Sequence, residues 1–389
     1  MTTQTHAFPR SDRTKLGVWW WTTDHWLLGA TLVLIGLGVL LQFGTSPAAA
    51  HRLNIAWPYH FSVRQCIFAA GATAILISTS LLSPRGVRRT AFFVYLVSIL
   101  AMGALPLLGH AAKGATRWVE ISGFTLQPSE FMKPALIILV AWMFAEGRKG
   151  EGVPGIPIAL GLYGLAVGLL LAEPDIGQTV LITVAFGAAF GMAGLPMVWI
   201  AIMGGIAVFG LGSTYFLFQH VATRVDGFLG HDGGDTQQVH RAAEAIANGG
   251  AFGRGPGEGV MKQGIPDMHT DFAYSAAAEE YGLWMCLALI ALFAFLVVRG
   301  LFRAMKLGDP FEQVAAAGLF VLVGMQAFIN VAVNLDLIPT KGMTLPFISY
   351  GGSSTLAMGL TLGLALALTR KRPGAYSAGD GFAAVGPLA

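Results

Sequence analysis

Charged residues are scarce in this chain. Asp, Glu, Lys and Arg make up 12% of its 389 residues, whereas hydrophobic residues make up 54%. A soluble protein carries about twice that charged fraction, so the composition argues against soluble enzymes. The net charge of +3 forms no basic stripe, which argues against nucleic acid as a partner. The sequence therefore predicts an all-α polytopic membrane protein.

Cysteine is nearly absent as well. Cys66 and Cys286 are the only two, and both fall within apolar stretches. They support neither a disulfide framework nor a cysteine-based metal cluster. We interpret both as small buried hydrophobic side chains, and the sequence predicts no metal-binding residues.

Long apolar stretches dominate the rest of the chain. A helix needs about 20 apolar residues to cross a membrane, and about ten stretches approach that length: residues 25–44, 61–82, 91–110, 132–146, 156–172, 177–193, 196–217, 273–298, 312–336 and 350–369. The chain thus divides into an N-terminal tail (1–24), a transmembrane domain (25–369) and a C-terminal tail (370–389). One long polar loop, residues 219–272, separates the seventh stretch from the eighth.

The distribution of Lys and Arg predicts the orientation in the membrane. With the N-terminus inside the cell, most of these residues fall in cytoplasmic segments, among them Arg10, Arg13, Arg299 and Arg303. Because cytoplasmic loops are enriched in Lys and Arg, both termini are predicted to be cytoplasmic. The long loop, the 111–131 loop and the 338–349 loop then share the outer face.

The long polar loop is the first candidate for function, because loops of this length are usually functional. Residues 236–248 predict a short helix within it, and the glycine-rich residues 249–259 predict a flexible, irregular connection. The loop ends in His269-Thr270-Asp271-Phe272, directly before the eighth stretch. Asp271 is therefore a candidate general base at the mouth of the bundle. The alternative is a capping role for the eighth helix.

A second candidate segment is the 111–131 loop. It contains Lys113, Arg117 and Trp118, and Lys133 enters the next stretch just beyond it. Cations beside an aromatic ring suit a diphosphate and its sugar. The alternatives are that Lys133 extends along the helix towards the interface and that Trp118 anchors the interface without contacting a sugar.

Two further polar features lie in or beside apolar stretches. Gln326, Asn330 and Asn334 share one helix face because they are four residues apart, and they are interpreted either as hydrogen bonds between helices or as substrate contacts. Glu173 and Asp175 flank a proline at the outer interface. They are either a solvated pair or have a structural or metal-linked role.

Three segments together resemble one family. They are Lys113–Trp118 with Gln127–Pro134, His269–Phe272 with Glu279–Gly282, and Pro339–Ser354 (PTKGMTLPFISYGGSS). With the turn at residues 173–177, they are similar to the SEDS (shape, elongation, division, sporulation) family. The Pro-Thr-Lys-Gly sequence resembles the division branch of that family rather than the elongation branch. One departure is Asp336, where family members commonly have glycine, and another is Ala273-Tyr274-Ser275 after the Asp271 motif.

The resemblance implies a peptidoglycan glycosyltransferase that polymerises lipid II with inversion, at the outer face of the bacterial cytoplasmic membrane and at the division septum. It implies Asp271 as the catalytic residue. The leaving diphosphate would need cations or a divalent metal such as Mg²⁺ or Mn²⁺. The residues expected to bind substrate are Arg117, Trp118, Lys133, Lys341, His269 and Ser353.

The resemblance also implies protein partners. The main one is a class B penicillin-binding protein, whose single membrane helix is expected to bind at the eighth and ninth stretches, and other division proteins are expected too. Three alternatives stay open: a flippase or transporter of lipid-linked precursors, an elongation-type polymerase, and a non-catalytic division scaffold. Loss of activity with retained assembly after a change at Asp271 would argue against the scaffold.

Overall fold

The computed structural model describes residues 14–371, with gaps at 109, 113–114, 122–123, 151, 266 and 340–341 and only scattered positions between 195 and 233. The helices are α1 (Lys15–Thr22), α2 (His25–Arg52), α3 (His60–Ser80), α4 (Pro84–Leu108), α5 (Pro128–Arg148), α6 (Gly155–Ala172), α7 (Ile176–Met192), α8 (Gly234–Gly249), α9 (Ala273–Ala304), α10 (Pro310–Asn334) and α11 (Gly352–Thr369).

The predicted multi-pass helical architecture is confirmed. Among the described residues, eight helices are long and apolar enough to cross a membrane, and α7 is a shorter apolar helix. These nine match nine of the ten predicted stretches. The remaining stretch, residues 196–217, lies outside the described residues apart from isolated positions. The predicted helix at 236–248 is also confirmed as α8, which ends at Gly249 as expected.

A small antiparallel sheet follows α4, which the sequence analysis did not predict. Its strands are β1 (His110–Ala112), β2 (Ala115–Ile121) and β3 (Phe124–Leu126), in the order β1-β2-β3. Val119 pairs with Leu126, and Glu120 pairs with Thr125. The three strands occupy most of the segment between α4 and α5, and β2 carries Arg117 and Trp118.

Helix α11 lies at the centre of the bundle. Of its most apolar window, 89% is buried inside the protein, more than for any other candidate span among the described helices. It packs closely against α3 at glycines: a Cβ atom at Gly359 would lie 2.5 Å from the Ala72 carbonyl oxygen, and one at Gly363 would lie 2.0 Å from Thr79 Oγ1. Such small residues let membrane helices approach closely, and they account for the close packing of α11 on α3.

Helix α9 is broken at Gly282, which has φ 77° and ψ −173°. This left-handed conformation is open mainly to glycine, and it frees backbone groups on both sides of the break. The glycine-rich loop binds these groups: the Leu283 N–H donates to the Gly250 carbonyl, and the Arg254 N–H donates to the Glu279 carbonyl, both at 2.9 Å. Residues 251–259 contain no helix or strand, as predicted for an irregular connection, and the backbones of residues 250, 251, 254 and 255 are hydrogen-bonded to α9. The predicted flexibility of residues 249–259 stays a prediction.

Candidate active site

Asp271 closes a tight turn immediately before α9. Its backbone N–H donates to the Asp267 carbonyl at 2.9 Å, and its side chain is half-buried. The N-cap residue of α9 is Phe272, which makes no side-chain capping hydrogen bond. Asp271 thus stands one residue outside the position at which a carboxylate normally caps a helix.

Two asparagines of α10 hold the backbone at Asp271. The Nδ2 groups of Asn330 and Asn334 donate to the Asp271 carbonyl at 2.9 and 3.0 Å. Asn330 Nδ2 also donates to the Met343 carbonyl at 2.6 Å. Both side chains are buried. Of the two interpretations of this polar face, the geometry supports hydrogen bonding between elements, and it directs those bonds to the candidate catalytic turn.

The segment after α10 approaches Asp271 from the other side. A Cβ atom at Gly342 would lie 3.2 Å from Asp271 Oδ2, so the chain passes directly beside the carboxylate. Lys341 itself lies outside the described residues, as does Thr340. The described neighbour Gly342 nevertheless brings the backbone of this segment to the candidate base. Asp336, where the family commonly has glycine, has a φ of 57°, a left-handed conformation that Asp tolerates better than most residues.

His269 is part of an aromatic cluster. Its ring centroid lies 4.8 Å from that of Phe61 and 5.7 Å from that of Tyr350. Its carbonyl accepts a hydrogen bond from the Tyr350 N–H at 2.8 Å. These contacts give His269 a packing role that joins the Asp271 turn to the start of α11.

Ser353 lies in the first turn of α11 and is buried. Its neighbour Ser354 shares a hydrogen bond of 2.6 Å between hydroxyl groups with Thr344. The start of α11, the 342–344 segment and the Asp271 turn therefore form one connected region.

Lys133 is not an exposed outer cation. Its side chain is fully buried, and its ammonium group donates to Glu130 Oε2 at 2.9 Å, Gln178 Oε1 at 2.8 Å and Gln326 Oε1 at 3.0 Å. An ammonium group has three N–H donors, so protein groups use all of them. The expectation that Lys133 binds the diphosphate directly therefore needs correction. Sequence reasoning missed this because two of the three partners are distant along the chain.

Arg117 also binds protein groups in this structure. It donates from Nε to the Glu173 carbonyl at 2.9 Å and from Nη2 to the Pro174 carbonyl, and its Nη1 lies 3.9 Å from Asp175 Oδ2. These contacts attach β2 to the turn between α6 and α7. Trp118, the next residue of β2, is half-buried.

The two acids of this turn are not a solvated pair. Both are buried. Burial, with a smaller contribution from Asp175, raises the pKa of Glu173 to about 8, and burial raises the pKa of Asp175. The positive charge of Arg117 partly offsets both increases in pKa. A structural role for this turn is supported.

Gln326 connects Lys133 to the 342–344 segment. It accepts from Lys133 as described above, and its Nε2 donates to the Thr344 carbonyl at 3.1 Å.

Among the described residues, no group of three or more His, Cys, Asp or Glu side chains is arranged to hold a metal ion. Mg²⁺ is commonly bound through substrate phosphates in addition to one or two carboxylates.

Comparisons with known proteins match this architecture. A family described as cell cycle protein, FtsW/RodA/SpoVE, matches residues 25–373. A protein of Caulobacter vibrioides named probable peptidoglycan glycosyltransferase FtsW is 69% identical over 97% of each chain. One solved structure, of a peptidoglycan synthase complex that coordinates polymerization and crosslinking, has a TM-score of 0.74 at 24% identity and covers 89% of this chain and 97% of that one.

A second solved structure shares the fold. The rod shape determining protein RodA of Thermus thermophilus matches with a TM-score of 0.67 at 24% identity, over 90% of this chain and 97% of its own. The family match spans nearly all of the transmembrane domain, and the Caulobacter relative extends over almost the full length. The chain belongs to the FtsW/RodA/SpoVE family of cell cycle proteins.

Proposed function

We propose that this chain is a peptidoglycan glycosyltransferase of the division branch, which polymerises lipid II into glycan strands. The family membership and the 69% identity to the Caulobacter relative support this function and the division branch. The observation that carries the site assignment is the half-buried Asp271 carboxylate at the end of the long loop, with its backbone held by two asparagines and the Gly342 segment beside it.

Asp271 acts as the general base in the proposed reaction. Chain growth joins a sugar hydroxyl to the anomeric carbon of a second sugar, with inversion, and releases a lipid-linked diphosphate. A sugar hydroxyl is a weak nucleophile, so a carboxylate beside it must accept its proton as the bond forms. The leaving diphosphate gains negative charge and must be stabilised by cations or a divalent metal.

Lys341 is the proposed cation for the diphosphate. It directly precedes Gly342 in the sequence, and the Gly342 backbone passes beside Asp271. Trp118 is proposed to stack on a sugar. Arg117, Lys133, His269 and Ser353 are proposed to shape the site through the protein contacts described above. A Mg²⁺ or Mn²⁺ ion is proposed to bind mainly through the diphosphate.

The test is lipid II polymerisation by the purified chain with its partner, comparing wild type with Asp271→Asn and with Asp267→Asn as a control in the same turn. We expect glycan strands from wild type and the control, and a loss of at least about 100-fold for Asp271→Asn. Equal activity of a folded Asp271→Asn protein would remove Asp271 from this role. Inactive wild type beside an active reference polymerase would contradict the proposed function and favour the flippase or scaffold.

The proposed partner is a class B penicillin-binding protein that binds through one membrane helix at α9 and α10. The apolar face of α9 supports this site, because Trp284, Leu287 and Phe302 are exposed on it. We also propose that the protein resides in the cytoplasmic membrane at the division septum, with both termini inside the cell. Reporter fusions at the two termini test the orientation: protease protection from outside is expected, and cleavage would contradict it.

A further inference from the structure

We infer that Asn330 and Asn334 are positioning residues that fix the Asp271 carboxylate relative to the segment 342–344. The inference rests on the proposed function, in which Asp271 is the general base. Asn330 and Asn334 lie on α10, and their neutral side-chain amides neither give a proton to the substrate nor take one from it in that reaction. Their contribution is the placement of the base.

The orientation of the Asn334 amide is determined by its neighbours. Its Oδ1 accepts from the Ser275 N–H at 3.1 Å and from the Ser275 hydroxyl at 2.7 Å. Because the oxygen is fixed by two donors, the NH₂ group must point the other way. It donates to the Asp271 carbonyl at 3.0 Å and to the Asn330 carbonyl at 2.9 Å. Every hydrogen of this amide is therefore used.

Asn330 joins the two sides of the site. One hydrogen of its NH₂ group bonds to the Asp271 carbonyl and the other to the Met343 carbonyl. Met343 follows Gly342, whose backbone lies against the carboxylate. A single side chain thus sets the distance between the Asp271 turn and the segment that approaches it. Both asparagines are at most 1% exposed, so water does not compete freely for these bonds.

These bonds differ from ordinary bonds between membrane helices. Such bonds connect the side chains or backbones of two helices. Here the acceptors Asp271 and Met343 both lie outside helices, in the two segments that flank the candidate base. Their placement therefore depends on α10 rather than on their own hydrogen-bond ladder. A misplacement of about 1 Å at a catalytic group can lower a rate about 100-fold.

The test uses Asn330→Asp and Asn334→Asp in the full chain with its partner. These variants keep the size of the side chain and one oxygen but lose the donors to Asp271. We expect kcat for lipid II polymerisation to fall about 10- to 100-fold, with KM within about 2-fold. Thr361→Ala is the matched control, because Thr361 is equally buried and bonds only to its own helix, at the Ala357 carbonyl.

Ser275→Ala provides a milder variant that avoids a new buried carboxylate. It removes one of the two donors that orient Asn334, and we expect kcat to fall about 2- to 5-fold. If the asparagines only fill space, the Asp variants retain wild-type kcat whereas Asn334→Ala loses stability. That pattern, or equal losses in kcat and affinity, would overturn the inference.

A second measurement does not depend on catalysis. Amide hydrogen exchange within residues 267–276 should become faster in both Asn variants than in Thr361→Ala, because both lose a donor to the Asp271 carbonyl. Exchange within residues 343–350 should become faster in Asn330→Asp, because only Asn330 bonds to the Met343 carbonyl. Unchanged exchange would overturn the inference even if wild type were inactive. If wild type polymerises lipid II and the Asn variants match it, the inference fails while the proposed function stands.

Discussion

The two parts of α9 on either side of Gly282 belong to different environments. Residues 273–280 are all buried, including Ser275, Glu279 and Glu280. Beyond the break, buried residues recur only every three or four positions, and the opposite face exposes large apolar side chains. The first part is enclosed by protein on all sides. The second part has the one-sided pattern of a helix that faces lipid or a partner.

The length of α9 also indicates that the helix has two parts. Helix α9 has 32 residues, which correspond to about 48 Å at about 1.5 Å per residue. The hydrocarbon core is only about 30 Å thick, and residues 283–304 alone suffice to cross it. The Asp271 turn is therefore attached to a short helix that the protein itself encloses. Catalytic geometry is better maintained there than on a helix end surrounded by lipid.

The largest effect is expected from removing the break. Gly282→Val places a Cβ atom 2.4 Å from the Gly253 N and 2.5 Å from the Ala251 O, at a φ of 77°. Strain and clash together should destabilise the protein by more than about 3 kcal/mol and release the 250–255 loop. Thermal unfolding in detergent measures the first effect, and proteolysis at Arg254 measures the second.

Gly164→Ala on α6 is the control for that substitution, because a Cβ atom there meets no other atom within 4 Å. It should leave stability unchanged or slightly higher. If Gly282→Val unfolded at the same temperature as wild type, the backbone at residue 282 would not require glycine. The division of α9 into two parts would then lose its structural basis.

A smaller effect is expected at Glu279, within the enclosed part. Its Oε1 accepts from the Met261 N–H at 2.8 Å and from Asn248 Nδ2 at 3.3 Å. Glu279→Gln replaces one carboxyl oxygen with an amide donor, so we expect a loss of about 1–3 kcal/mol. Faster exchange of the Met261 amide would locate the effect. Glu244→Gln on the exposed face of α8 should have none, and equal behaviour of the two variants would contradict this role.

Much of the fold was predictable because membrane helices need long apolar stretches, a signal that is local in sequence. The proposed site could be inferred from the position of Asp271 at the end of the polar loop. The break at Gly282 could not be predicted, because a single glycine in an apolar stretch is compatible with a continuous helix. The role of Lys133 was also not predictable: Glu130 is one turn away, but Gln178 and Gln326 are brought to it only by tertiary packing.

The polar face of α10 was predictable in part. The spacing of Gln326, Asn330 and Asn334 correctly predicted a shared face, since that depends only on helical periodicity. Several of their partners are backbone carbonyl groups of non-helical segments, at Asp271, Met343 and Thr344, and carbonyl groups carry no sequence signal. Sequence reasoning could therefore locate the face but could not determine what it binds.

The smallest effect on stability is expected in the second part of α9. Trp284 is 62% exposed, and Trp284→Ala should change the free energy of unfolding by no more than about 0.5 kcal/mol. If this face binds the membrane helix of the proposed partner, the same change should weaken co-purification of the two proteins about 10-fold, because aromatic residues contribute strongly to interfaces. Phe93→Ala on α4 is the control, because Phe93 is also 62% exposed. Equal co-purification of both variants would indicate that this face of α9 contacts lipid, whereas a large loss of stability for Trp284→Ala would contradict the contrast between the two parts of the helix.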